Sequence, residues 1–132
     1  MTSERREQVT HGTAIEELFG YSTGMAIGSL VYVAGQLARD DTGTQISATD
    51  LDSKMAQVVK NIQSVVERMG SSLDQVAYLQ IHVANEVDDL EDAFAVCKKH
   101  FGSVAPAMTI VPVERLNDDG GLVEVSAVAV RG

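Results

Sequence analysis

Between Asp50 and Met69 apolar residues recur at three- and four-residue steps: Leu51, Met55, Val58, Val59, Ile62, Val65, Val66 and Met69. That is the period of one buried helical stripe. Thr49 with Asp52 three residues on resembles a capping box, Arg68 sits in the last turn, and Gly70 stands where a left-handed residue closes a helix. A second helix is predicted from Asp88 to Phe101, with Leu90, Ala93, Phe94, Cys97 and Phe101 on its stripe and Gly102 as the stop. Acidic residues crowd its start and Lys98, Lys99 and His100 its end, as the helix dipole favours, so these charge runs read as a solvated face.

The other apolar segments are short and mostly rich in β-branched residues: Phe19 to Ile27, Leu30 to Leu37, Gln75 to Val83, Met108 to Val113 and Leu122 to Val130. In Tyr78 to Val83 apolar Leu79, Ile81 and Val83 alternate with Tyr78, Gln80 and His82, the pattern of a strand buried on one face. Gly24 to Gly28 and Asp118 to Gly121 supply turn residues between strand pairs. The order is β-β-α-β-α-β-β, an α+β domain. Right-handed crossovers place both helices on one face of the sheet. The opposite face then lacks cover, and self-association into a closed ring is the simplest way to supply it.

A chain of 132 residues fits one domain, here 14–132, with residues 1–13 expected to be a flexible lead-in because the charged N-terminus runs into no apolar segment. For the same reason it reads as neither signal peptide nor anchor. No apolar run approaches the roughly 20 residues of a spanning helix. One cysteine, Cys97, cannot form an internal disulfide, which makes the cytoplasm the expected location and membrane an unexpected partner. A net charge of −9 disfavours nucleic acid, whose binding draws on clustered Lys and Arg.

Candidate chemistry is sparse. Glu124 is a single carboxylate in the nearly apolar final strand; burial without a partner is costly, so it either works, faces solvent, or pairs with Arg115 or Lys54. Tyr21 beside Gly20 can reach a cleft or simply pack its ring. Gly35-Gln36 closes the second strand, where glycine permits close approach of a ligand or merely ends the strand. His11, His82 and His100 lack metal-ligand spacing, and Gly120-Gly121 precedes a strand rather than a helix, so neither a metal nor a nucleotide cofactor is expected. Cys97 lies on a helix stripe and reads as core. Arg39, beside Asp40 and Asp41, is expected to pair locally or be solvated.

Four motifs in order resemble the Rid, or YjgF, family from about Ala14 to Arg131: Gly35-Gln36 after Val31 to Ala34, Asn61-Ile62 with Gly70, Pro106-Ala107, and Leu122 to Ala129. The resemblance implies a chorismate-mutase-like (ferredoxin-like) homotrimer with clefts between subunits, which in many members hydrolyse enamines and imines to 2-keto acids and ammonia without a cofactor. It also implies that Glu124 assists the water and that Tyr21 lines the cleft. Met108, flanked by Ala107 and Thr109, occupies the position of the family's carboxylate-binding arginine. Other departures are Gly20, Ala34 and Asn117, where proline, serine and proline are common.

A thioether cannot replace a bidentate guanidinium clamp. Losing such a pair is expected to cost about 2 to 5 kcal/mol of binding, roughly two to three decades of affinity. A standard 2-imino acid is therefore not the expected substrate. Two alternatives stand for the small-molecule cleft. In one, hydrolysis continues on a different imine or enamine, with Arg39 or Arg115 supplying any charge. In the other, the trimer only binds a ligand or regulates. Endoribonuclease or translation-inhibitor activity, a third assignment made in this family, is disfavoured by the acidic balance.

Overall fold

The computed structural model describes residues 6–132. Six strands form one mixed sheet: β1 (Arg6–Val9), β2 (Gly24–Ile27), β3 (Leu30–Gln36), β4 (Val76–Ala84), β5 (Ala107–Val113) and β6 (Val123–Val130), in the order β1-β2-β3-β6-β4-β5. The helices are α1 (Ala14–Phe19), α2 (Leu51–Arg68) and α3 (Leu90–Phe101). The final strand is central. Antiparallel β3 and β4 flank it, and β5 lies parallel to β4 at one edge.

The stripe of α2 is buried as its spacing predicts, with Met55, Val58, Ile62, Val65, Val66 and Met69 all in the core. Its start differs by one residue. Asp50 is the cap, accepting Ser53 N–H at 2.9 Å, whereas Asp52 turns outward to Lys99 Nζ at 2.7 Å and His100 Nε2 at 2.9 Å on α3. A cap must reach the third helical N–H, and Asp50 has that geometry. At the other end Gly70 adopts φ 82°. Its N–H bonds Glu67 and that of Ser71 bonds Val66, closing the last turn.

Only part of the α3 stripe is used. Ala93, Cys97 and Phe101 are buried, while Phe94 is 55% exposed, because α3 packs mainly on α2 rather than across the sheet. Burial pushes the Cys97 thiol up to about 11. On the helix side Val123, Val125, Ala127 and Ala129 of β6 meet Val31 and Val33 of β3 and Leu79, Ile81 and Val83 of β4 in one core. On the other side Tyr32 pairs with Val128 and Leu30 with Val130, leaving an apolar patch open.

The N-terminal third departs from expectation. Arg6–Val9, within the expected flexible lead-in, is a strand on β2, and residues 1–5 lie outside the described residues. The predicted strand from Phe19 starts only at Gly24, because Ala14–Phe19 is a helix that Thr13 and Glu16 cap reciprocally. Gly24 is a strand residue whose side a β-carbon would bring within 2.6 Å of Val65; the turn is made further on, at Gly28.

Candidate functional site

The candidate site forms at the end of β3. Its register against β6 shifts between Val33 and Gln36, a bulge that contains Gly35. A β-carbon at Gly35 would lie 2.8 Å from the carboxyl carbon of Glu124, so glycine is what admits the carboxylate here. Glu124 is fixed by β6 on the helix-free face, opposite His82 of β4. It is half-buried, and no hydrogen bond or ion pair from the described residues reaches it. Neither candidate partner takes it up: Lys54 donates to Gln45 Oε1 at 2.8 Å, and Arg115 is exposed in the loop after β5.

Tyr21 reaches the cleft from a loop rather than from the head of a strand. Gly20, at φ 74°, ends α1, and the N–H groups of Gly20 and Tyr21 both donate to the Glu16 carbonyl, at 2.9 and 3.0 Å. The Tyr21 side chain is 41% exposed. Gln36 is buried; its Oε1 lies 3.2 Å from His11 Nε2, and its Nε2 donates to the Ala34 carbonyl at 2.9 Å.

Arg39 is neither solvated nor paired with Asp40 or Asp41. Its Nε and Nη2 donate to the two carboxylate oxygens of Asp118, at 2.7 and 2.5 Å. Gln45 Nε2 donates to the same carboxylate at 2.9 Å. These hydrogen bonds hold the arginine above and Asp118 below their ordinary pKa values. Asp40 instead turns back to the N–H groups of Thr42 and Thr44. Tyr21, Gly35 and Arg39 border one cleft, and the Glu124 carboxylate rests against Gly35 on that border. Asn61 of α2 ties this loop down by donating to the carbonyls of Leu37 and Arg39, at 3.1 and 2.9 Å. Tyr21, Gly35, Gln36, Arg39, Lys60 and Asn61 border a cleft of about 660 Å³.

Ala107, Met108 and Thr109 lie elsewhere, on β5, with β4 between them and Glu124. Met108 pairs with Leu79, and Thr109 accepts a hydrogen bond from the Tyr78 hydroxyl at 3.0 Å. Within one chain the structure therefore gathers Tyr21, Gly35, Gln36, Arg39 and Glu124, and leaves Ala107, Met108, Thr109 and Arg115 apart. Sequence reasoning gave no role at the site to Glu16, read Asp118 only as a turn residue, and named Asn61 only as part of a family motif. Thr13-x-x-Glu16 is a capping-box signature that points to the first; the contact of Asp118 with Arg39 and those of Asn61 with the Leu37 and Arg39 carbonyls span 79 and 22 to 24 residues and have no local signal.

Comparison with known proteins converges on the same assignment. Residues 11–131 match the family described as Endoribonuclease L-PSP. A RutC family protein of Pyrococcus abyssi is 30% identical over 111 residues, covering 84% of this chain and 86% of that one. The human 2-iminobutanoate/2-iminopropanoate deaminase is 24% identical over 132 residues, covering 100% and 95%. A crystal structure from Mycobacterium tuberculosis, described as a member of the YjgF/YER057c/UK114 family, superposes with a TM-score of 0.82 at 28% identity, covering 96% and 99%. The bulged Gly35, the last-strand Glu124 and the sheet order thus sit in a fold shared along nearly the whole chain, and the protein belongs to the Rid (YjgF) family, the Endoribonuclease L-PSP family of the sequence match.

Proposed function

We propose that this protein hydrolyses a reactive imine or enamine to a carbonyl compound and ammonia, without a cofactor, in a cleft completed by a second copy within a cytoplasmic homotrimer. The observation that carries this is the Glu124 carboxylate, held with no hydrogen-bonding partner among the described residues against Gly35, which borders the same cleft as the Tyr21 phenol. An enamine first tautomerises to the imine, its nitrogen losing a proton to water as its carbon gains one. An unengaged carboxylate can then take a proton from water as the water's oxygen bonds to the imine carbon. The C=N π electrons move to nitrogen, which is then protonated. Collapse of the resulting carbinolamine expels ammonia and leaves the carbonyl. Tyr21 is suited to donate a hydrogen bond to the developing charge.

The substrate class follows from what surrounds these groups. Met108 offers no cation and Arg39 is engaged by Asp118, which leaves the exposed Lys60 on the cleft border, a single flexible ammonium rather than a bidentate guanidinium, to meet a carboxylate. Neutral or bulkier imines fit such a cleft better than 2-imino acids do. Copies related by a closed ring would cover the open patch of Leu30, Tyr32 and Val130 and would bring β5 of one subunit toward the cleft of another.

The test is ammonia release from imines generated in situ by an amino-acid oxidase or an amine oxidase. Acceleration is expected on neutral or bulky imines, with little on 2-iminobutyrate. Rapid hydrolysis of 2-iminobutyrate would overturn the role given to Met108. No acceleration on any imine would favour the second reading, a ligand-binding or regulatory trimer, for which the locked Arg39 speaks. Light scattering should return three times the 14.1 kDa of the chain; a stable monomer would remove the shared cleft.

A further inference from the structure

Glu16 is the most fully satisfied buried side chain outside the chemistry proposed above. It is 4% exposed, in a helix of six residues. Its Oε1 accepts the Thr13 N–H and hydroxyl, both at 2.9 Å. Its Oε2 accepts the His11 N–H at 2.9 Å and the Thr23 hydroxyl at 2.5 Å. Capping α1 needs only the contacts with Thr13. Those with His11 and Thr23 do something else: they pin both ends of the segment that carries Tyr21.

The segment is also tied to the bulge. The Thr23 carbonyl accepts Ala34 N–H at 2.8 Å, and His11 reaches Gln36, whose amide returns to the Ala34 carbonyl. Both routes from Glu16 therefore end on Ala34, next to the glycine that rests on Glu124. The Glu16 carbonyl meanwhile receives the Tyr21 N–H.

From this geometry we infer that Glu16 is a positioning residue, setting Tyr21 and the Gly35 bulge relative to Glu124. The inference deepens the proposed hydrolysis and rests on it for its kinetic consequence, though not for its structural one. A charged acceptor suits the task because all four donors face it and none is left for another partner. Burial on its own would raise this carboxyl, yet the hydrogen bonds from Thr23, Thr13 and His11 hold it at about 2, so the anchor stays ionised across the working range of pH.

Glu16→Gln puts an amide NH₂ where two donors already point and should release the segment. Three tyrosines and no tryptophan make this visible. In a Tyr32→Phe/Tyr78→Phe background Tyr21 is the only emitter, and its fluorescence anisotropy should fall in Glu16→Gln. An unchanged anisotropy overturns the inference, whatever the protein's activity.

The kinetic arm is a double-mutant cycle on the imine that the wild type hydrolyses. Glu16→Gln alone should lower kcat by about tenfold or more with KM changed far less, and add little in a Tyr21→Phe background. Additive losses would mean that Glu16 only supports the fold. Should Glu16→Gln fail to fold, Thr23→Val removes one donor and should show both effects in smaller measure; its failing to do so would equally overturn the inference. A wild type inactive on every imine would sink the proposed hydrolysis while the anisotropy still decides the role of Glu16.

Discussion

The end of β3 and the edge strand β5 carry the two halves of the candidate chemistry, and they are built differently. Around β3 nearly every polar group is held within the chain: Arg39 by Asp118, Gln36 by His11 and Ala34, Glu16 by four donors, and Asn61 by two carbonyls. Glu124 and the Tyr21 hydroxyl, by contrast, take no hydrogen bond from the described residues. Along β5 Ala107, Met108 and Thr109 are exposed, and among the described residues the one side-chain hydrogen bond there is from Tyr78 to Thr109. A wall that must orient water benefits from being rigid before substrate arrives. A wall that selects substrate by contact can be left for another copy to present, and its residues can vary without disturbing the fold.

Four experiments would break or sharpen that contrast. The largest expected effect is that of Glu124→Gln, which should lower hydrolysis by about 10² to 10⁴ while leaving fold and assembly intact. Full activity in that variant would place the base elsewhere. Acid unfolding comes next. Glu16 has a native pKa of about 2 against 4.5 for the free side chain. The stability it contributes is complete above about pH 4.5 and is lost as pH falls toward 2, amounting to at most about 3 kcal/mol. Denaturant titrations of wild type and Glu16→Gln over that range should converge in acid; parallel curves would show that the carboxylate does not anchor the segment.

Met108→Arg tests the other wall. Affinity for a carboxylated imine or its stable analogue should rise by about 10- to 100-fold by calorimetry, with thermal stability unchanged, because the site is exposed and makes few contacts. No gain would mean that β5 does not meet the substrate carboxylate. Gly35→Ala comes last in expected size. The new methyl group collides with the mobile end of Glu124, so activity should drop while the melting temperature moves by only a few degrees, about 1 kcal/mol. A large loss of stability instead would assign Gly35 to the fold rather than to the site.

Much of the fold was legible because its elements are long and periodic. The stripe of α2, the alternation of β4 and the closing glycine at position 70 follow from spacing alone, and the helix-free sheet face follows from the handedness of the crossovers. Short elements were not. The strand Arg6–Val9 has three exposed residues out of four and is held by backbone pairing, so it carries no apolar signal. Helix α1 is shorter than the window in which periodicity can be counted, and only its capping pair announces it. Leu90 and Phe94 fit the stripe of α3 but stay exposed, since a helix that packs on another helix buries a narrower face.

The site divides in the same way. Glu124 stands out as a charge among apolar residues, and Tyr21 and Gly35-Gln36 stand out by their places at strand ends, each with a plain structural alternative beside the role that the family resemblance implies for Tyr21. The partner of Arg39 lies 79 residues away and could not be read from its acidic neighbours. Local charge patterning suggested Asp40 and Asp41, yet turn geometry commits Asp40 to its own loop.

The depth of Cys97 has a practical side. At 1% exposure, with its thiol pushed up to about 11, it is neither thiolate nor reachable at neutral pH, so alkylating reagents and mild oxidants should pass it by. The chain is thus chemically silent toward thiol probes. A cysteine introduced at position 108 would be the one reactive thiol, and a fluorophore or spin label attached there would report, on an otherwise unlabelled protein, when the exposed edge of β5 is covered.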